Sequence, residues 1–158
     1  MRHTGGFTLI ELIVTISIIM VITGGVVANL TKYNDNQRLE QIGLTLQEDL
    51  HTAQGKALSG QKPSGSPCAG FLGYRVTFLA GSYAIVPECL EGNDYPDDSK
   101  IVTLPAGMTF TEPLCPSFRF LPLVQGTDLP TSTDVVLTSG TATYTITIYR
   151  SGVINQKS

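Results

Sequence analysis

The feature that most constrains this chain is an apolar run close to its N-terminus. Residues 7–30 include 16 hydrophobic side chains among 24 positions, and Glu11 is the one ionisable side chain among them. At a rise of 1.5 Å per residue, a helix over this run is about 36 Å long, more than the roughly 30 Å of a bilayer's hydrocarbon core. The run therefore predicts a transmembrane helix over residues 7–30.

The remainder of the chain has the composition of an ordinary folded domain. Residues 31–158 include 49 hydrophobic residues among 128, and the whole chain of 158 residues has the size of one domain. A chain that is 42% hydrophobic and 15% charged is not disordered as its main state. The net charge of −3 argues against a general binder of nucleic acid or of acidic membranes, which needs a basic excess.

A short leader, residues 1–6, precedes the apolar run. An ordinary secretory signal has its small-residue cleavage site after the apolar core, whereas Gly5 and Gly6 lie before it. Cleavage after Gly6 removes the basic residues Arg2 and His3 and leaves the whole run attached to the mature protein.

The residues around this glycine resemble the type III signal of type IV prepilins and type II secretion pseudopilins, since positions 6–14 read GFTLIELIV. The resemblance implies that a prepilin peptidase cuts after Gly6 and N-methylates Phe7. It implies a single-pass protein of the inner (cytoplasmic) membrane, surrounded by the lipid bilayer before assembly, with its globular domain outside the cytoplasm. It also implies partnership with an inner-membrane assembly platform and, through the N-terminal helix, with other pilin or pseudopilin subunits of a filament.

Glu11 is the candidate residue for filament assembly. A carboxylate near the centre of a bilayer costs about 2.5 to 3.5 kcal/mol, so such a residue is a functional candidate by default. One interpretation is that Glu11, close to the helix start, reaches up to the lipid headgroups. The resemblance implies the interpretation that we favour, in which Glu11 pairs with the new amino group of Phe7 on a neighbouring subunit.

The helical period continues beyond the apolar run. Apolar residues recur at steps of three and four, which predicts one buried stripe on the amphipathic segment 31–58: Leu39, Ile42, Leu46, Leu50, Ala53 and Ala57. The first proline after the run is Pro63, so we expect one helix over about residues 7–58. Gly24 and Gly25 within it have two open interpretations, close packing between helices or a point where the helix extends in a filament.

Residues 59–158 have the signals of a β-rich globular domain. Polar and apolar residues alternate over 74–78 and 142–149, and Gly81 with Ser82 predicts a hairpin turn. Further strands are expected at 83–86, 100–104, 108–110, 117–121, 135–137 and 153–154. The predicted fold class is therefore α+β, with a long N-terminal helix packed on an antiparallel β-sheet domain. This is the pilin-like architecture that the N-terminal resemblance implies.

The same domain resembles minor pseudopilins of the GspH/FimT type over roughly residues 100–155. The resemblance rests on IVTLPAGM at 101–108, FRF at 118–120, and TITI at 145–148 with a glycine at 152. It implies the role of a minor subunit.

Three cysteines, Cys68, Cys89 and Cys115, follow the predicted span, in a part of the chain placed where disulfides persist. Three pairings are possible. We favour Cys68 with Cys89, because these two residues bracket the predicted hairpin and antiparallel strands bring its ends together. Cys115 is expected to be a buried thiol.

Catalytic and metal-binding signals are weak. Five acids lie within eleven residues, but their spacing is not that of an EF-hand, and a solvated loop is favoured over an ion site: Glu88, Glu91, Asp94, Asp97 and Asp98. The histidines are His3, in the leader, and His51, in the long helix, so the β domain has no Ser-His or Cys-His pair. We expect no metal, no cofactor and no enzymatic activity.

The sequence thus predicts a structural subunit of a type IV pilus or a type II secretion pseudopilus, with the role of a minor subunit favoured. The alternative is a FimT-like minor pilin that binds DNA during uptake, for which Arg119, Arg150 and Lys157 offer few phosphate contacts, so nucleic acid is not an expected partner. A third hypothesis is a monotopic membrane protein that never polymerises, in which Gly6 and Glu11 are dispensable.

Overall fold

A computed structural model describes residues 8–64, 68–90, 95, 98–111, 115–140 and 142–157, with the backbone alone over 25–32. It begins with a single helix, α1 (Leu9–Leu58), which agrees with the helix predicted over about 7–58. The chain divides into two compact units, Met1–Gln37 and Arg38–Ser158, and α1 contributes to both.

In the N-terminal unit, Thr8 caps the start of α1. Its carbonyl oxygen accepts the N–H of Leu12 at 3.2 Å, and its side-chain oxygen accepts the N–H of Glu11 at 3.4 Å. A threonine at this position satisfies backbone donors that have no partner inside the helix. From there to Leu58 no proline interrupts the helix.

In the C-terminal unit, the second part of α1 contributes one face to the hydrophobic core. Five of the six residues of the predicted stripe are buried and Ile42 is half-buried, so the predicted amphipathic face is confirmed. The helix ends where Gly60 adopts a positive φ of 64°. Glycine adopts this conformation without steric strain because it has no Cβ. The N–H groups of Gly60 and Gln61 bond back to Ala57 and Lys56, which closes the last turn.

Eight strands follow α1: β1 (Phe71–Leu79), β2 (Ser82–Cys89), β3 (Lys100–Thr103), β4 (Thr109–Phe110), β5 (Phe118–Phe120), β6 (Thr133–Thr138), β7 (Thr143–Ile148) and β8 (Ile154–Lys157). Each lies within three residues of a strand expected from the sequence. They form two four-stranded sheets, with orders β3-β2-β1-β5 and β4-β6-β7-β8, and every pairing is antiparallel. The predicted antiparallel β-sheet domain is confirmed, and its strands fall into two sets because β5 returns to pair with β1 while β4 pairs with β6.

The core of this unit lies between α1 and the two sheets. The alternation expected over 142–149 is confirmed, because Tyr144, Ile146 and Ile148 are buried while the intervening threonines are not. Phe78 is at the centre of an aromatic cluster, and its ring centroid lies 5.1 Å from that of Phe110 in an edge-to-face contact. The described residues thus form an α+β fold with one helix packed on antiparallel sheets.

Candidate assembly surface

The N-terminal unit presents a helix covered with exposed apolar side chains. The exposed fractions of the large apolar residues over positions 9–22 run from 45% at Ile16 to 78% at Leu9 and Val21. Monomeric soluble proteins rarely leave so much contiguous apolar surface in water. This part of α1 therefore needs an apolar environment, supplied either by lipid or by other protein.

The polar side chains on the same surface are bonded to the helix itself. The hydroxyl of Thr15 donates to the carbonyl of Leu12 at 2.9 Å, and that of Ser17 donates to the carbonyl of Ile13 at 2.8 Å. Thr23 makes the same kind of bond with the carbonyl of residue 19 at 2.6 Å. Because these donors are satisfied internally, they do not need water, and burial of the helix leaves no unpaired hydroxyl at these positions.

Glu11 lies in the first turn of α1 and is exposed. The N-terminus of a helix carries a partial positive charge, which favours a carboxylate there. Among the described residues Glu11 has no ion-pair partner. The amine expected to meet it belongs to Phe7, and Phe7 and the cleavage residue Gly6 both lie outside the described residues.

A helix long and apolar enough to cross a membrane is not found within the part of the chain that the structure describes. The span predicted over residues 7–30 stays a prediction.

Comparison with known families identifies the N-terminal segment. The family model of the prokaryotic N-terminal methylation motif matches residues 1–27. The N-terminal segment is therefore type IV prepilin-like. No curated protein and no solved structure matches the chain, and the expected GspH/FimT-type body stays a prediction.

The motif carries a general course of maturation. It implies processing by a prepilin peptidase, attachment to a membrane, and later assembly with other pilin-like subunits. The matched residues include Gly6, Phe7 and Glu11, so the motif and the exposed surface of α1 fall on the same segment.

In the C-terminal unit, Cys68 and Cys89 form a disulfide, with their Cα atoms 5.6 Å apart. This is the pairing favoured from the sequence, and the bond joins the chain just before β1 to the last residue of β2. Cys115 is free and buried, as expected. Burial raises the pKa of its thiol to about 12, so the thiol stays protonated at neutral pH and is a poor nucleophile.

The basic residues considered for phosphate binding are partly neutralised. Guanidinium nitrogens of Arg119 lie 3.3 Å from oxygens of both Glu88 and Asp128. The ammonium of Lys157 lies 2.9 Å from Asp134, and its hydrogen bond lowers the pKa of that carboxyl. Two of the three candidate cations are therefore already paired with acids on the same unit.

The acidic segment 88–98 contacts neighbouring parts of the fold at Glu88 and Asp98. Glu88 pairs with Arg75 at 2.5 Å. Asp98 accepts hydrogen bonds from the backbone N–H of Ser64 at 2.5 Å and from its hydroxyl at 2.8 Å, and these bonds lower the pKa of Asp98. Glu91, Asp94 and Asp97 lie outside the described residues, and within the described ranges no cluster of His, Cys, Asp and Glu could hold a metal ion.

The sequence reasoning missed Asp49, a buried acid that joins α1 to the first sheet. Its Oδ2 accepts the hydroxyl of Tyr83 and its Oδ1 accepts the ammonium of Lys100, both at 2.6 Å. Asp49 is 8% exposed. Burial raises the pKa of the Tyr83 hydroxyl well above its ordinary value, so this hydroxyl stays a hydrogen-bond donor. The available signal was the position of an acid next to Leu50 on the apolar stripe, where a charge needs a partner.

Proposed function

We propose that this chain is a structural subunit of a type IV pilus or a type II secretion pseudopilus. It is cleaved after Gly6, N-methylated at Phe7 and assembled into a helical filament as a minor subunit. The observation that carries the proposal is the methylation motif over residues 1–27, which coincides with a helix whose apolar side chains are exposed.

The proposed subunit exchanges one apolar environment for another. Before assembly, residues 7–30 lie in the inner membrane with the globular domain outside the cytoplasm, and an assembly platform then transfers the subunit to the filament. There the helices of neighbouring subunits replace lipid around α1. The disulfide between Cys68 and Cys89 fits this location, since such bonds are rare in the cytosol.

Glu11 provides specificity in this exchange. Its carboxylate is costly in an apolar environment unless a cation neutralises it. In the proposed filament, the methylated amine of Phe7 from a neighbouring subunit supplies that cation. Incorrectly placed subunits leave both charges unpaired and are disfavoured.

The role of a minor subunit rests on the resemblance over residues 100–155 alone. The DNA-binding alternative has less support, because Arg119 and Lys157 already pair with acids. A gel-shift titration at low salt separates the two, since a DNA-uptake pilin must retard DNA and a purely structural subunit must not.

The proposal is tested by expressing the full chain in cells that contain a prepilin peptidase. Mass spectrometry of the N-terminal peptide is expected to show methylated Phe7 as the first residue. Gly6→Val is expected to block cleavage, while the neighbouring Gly5→Ala leaves it intact as a matched control. A chain that keeps residues 1–6 in the presence of an active peptidase contradicts the proposal.

Assembly is tested separately with Glu11→Gln, which removes the charge and keeps the shape. We expect this variant to be cleaved but absent from sheared filaments. Glu40→Gln, at an exposed position on the same helix, is the control and is expected to assemble. Normal incorporation of the Glu11→Gln subunit would rule out the ion pair with Phe7.

A further inference from the structure

The outer face of the second sheet, on the side away from α1, contains a depression of about 700 Å³. Asp134, Thr147 and Asn155 are direct cross-strand neighbours on β6, β7 and β8, so their side chains share this face. Tyr149 and Lys157 each lie two residues further along the same strands, and they line the depression as well. Ligand sites in proteins occupy about 300 to 1,000 Å³, so the depression has room for a small ligand.

Three of these side chains form a hydrogen-bonded network. The hydroxyl of Thr147 donates to Oδ1 of Asp134 at 2.6 Å, and the ammonium of Lys157 donates to Oδ2 at 2.9 Å. The side chains of Asp134 and Lys157 stay 38% and 63% exposed, so a ligand can reach both. Each carboxylate oxygen keeps a second acceptor position, and the ammonium keeps two further donors. The network is therefore held in place before a ligand binds and can still make bonds to one, which lowers the cost of binding.

Two further side chains beside the network offer unpaired polar groups. Among the described residues, the side-chain amide of Asn155 and the hydroxyl of Tyr149 make no hydrogen bond, although both residues are exposed on this face. The amide offers two donors and one acceptor. The side chain of Tyr149 is 40% exposed, and tyrosine presents an apolar ring with a polar tip. The depression thus combines one flat apolar surface with hydrogen-bonding groups around it.

The charges and the walls of the depression limit the class of ligand. Asp134 and Lys157 neutralise each other, and the other described residues that line the depression are uncharged. A phosphate group needs a surplus of cations and a metal ion needs a surplus of acids, and this lining has neither. A lipid chain or an apolar peptide side chain needs apolar walls, but here the ring of Tyr149 is surrounded by hydroxyl and amide groups. A pyranose sugar matches the lining, since it has an apolar C–H face and a rim of uncharged hydroxyl groups.

We propose that this depression binds a neutral sugar unit of a glycan chain. The C–H face of the sugar ring lies on Tyr149, and its hydroxyl groups bond to Asp134, Asn155 and Lys157. Bidentate and charge-assisted bonds of this kind fix the orientation of the ring. The inference goes beyond the proposed function, because assembly of a filament requires no sugar.

NMR titration of the full ¹⁵N-labelled chain tests the site. The chain is held in micelles of lauryldimethylamine oxide, since this detergent has no sugar headgroup that could compete. Maltotriose, cellotriose and chitotriose are the probes, and they represent α-linked, β-linked and N-acetylated neutral glycans. At least one of them is expected to give saturable shifts of the backbone amide signals of Thr147, Asn155 and Lys157, and the probe with the lowest Kd identifies the class of glycan.

Matched variants connect the binding to the depression. Tyr149→Ala and Asn155→Ala change exposed side chains, so the fold is retained, and each is expected to raise the Kd about tenfold. Thr143→Ala is the control, because Thr143 is exposed on the same face of β7 but lies four residues, or about 13 Å, from Thr147. The Kd of this control is expected to be unchanged.

Three results overturn the proposal. The first is the absence of saturable shifts with all three sugars, and the second is a Kd that neither Tyr149→Ala nor Asn155→Ala raises. The third is an oligothymidine that shifts the same amide signals when the sugars do not, which makes the depression a nucleic-acid site. Because the titration involves neither cleavage nor filaments, its failure leaves the proposed function in place.

Discussion

Replacing Gly43 with alanine is expected to destabilise the C-terminal unit, although alanine is the better helix former. Gly43 is buried on the face of α1 that packs against the ring of Tyr144. A Cβ at this position would lie closer than 3.0 Å to three carbons of that ring. Tyr144 is itself 6% exposed, so its ring cannot move into solvent without leaving the core.

The magnitude follows from two opposing terms. Glycine costs about 1 kcal/mol relative to alanine in a helix interior, so the substitution gains that much from the backbone. Overpacking a core costs typically about 1 to 3 kcal/mol, and an overlap with several ring atoms belongs at the upper end. The net loss in the free energy of unfolding is therefore about 2 kcal/mol for Gly43→Ala.

Gly55 offers a matched control on the same helix. It is exposed, and a Cβ built there meets nothing within 4 Å. Gly55→Ala is therefore expected to stabilise the chain by up to about 1 kcal/mol. Urea unfolding of the full chain in mild detergent, followed by near-UV circular dichroism, should separate the two variants by about 3 kcal/mol.

A double-mutant cycle connects the loss to the ring. In a Tyr144→Leu background the side chain is smaller and more flexible, and the cost of Gly43→Ala should largely disappear. If Gly43→Ala is as stable as Gly55→Ala, or if its cost is unchanged in the Tyr144→Leu background, the steric argument is wrong.

Three further predictions concern the C-terminal unit. Replacing Cys68 and Cys89 together with serine is expected to lower the free energy of unfolding by about 2 to 5 kcal/mol under oxidising conditions, and equal urea midpoints would contradict this. Asp49→Ala leaves the buried Tyr83 hydroxyl without an acceptor and is expected to cost about 1 to 3 kcal/mol, whereas Asp49→Asn, which keeps an oxygen, should cost less in the same assay. The thiol of Cys115 has a pKa of about 12 against an ordinary 9.0, so the folded state holds its proton more tightly. Its contribution to stability is complete below pH 9 and is lost as the pH rises from 9 to 12, and Cys115→Ala should make that decline shallower.

The elements predicted well are those defined by short-range periodicity. The buried stripe of α1 follows from steps of three and four, and β7 follows from strict alternation of threonine with Tyr144, Ile146 and Ile148. Both patterns depend on neighbours within one element, so the sequence contains the information directly. The methylation motif is local for the same reason.

The contacts that were not predicted join distant parts of the chain. Asp49 is 34 residues from Tyr83 and 51 from Lys100, and periodicity indicates only that Asp49 lies on the apolar face. The division into two sheets also depends on β5 choosing β1 as its partner, which the sequence of a three-residue strand does not determine. The contact of Gly43 with Tyr144 is likewise visible only once α1 is placed on β7.

Because the hydroxyls of Thr15, Ser17 and Thr23 bond to carbonyls of their own helix, their hydrogen bonds are the same in any apolar medium around this part of α1. None of these hydroxyls offers a donor that lipid would leave unsatisfied or that a protein neighbour would have to match. Moving the helix between two such media breaks no hydrogen bond at these positions. The selectivity of such a transfer then depends on side-chain shape and on the carboxylate of Glu11.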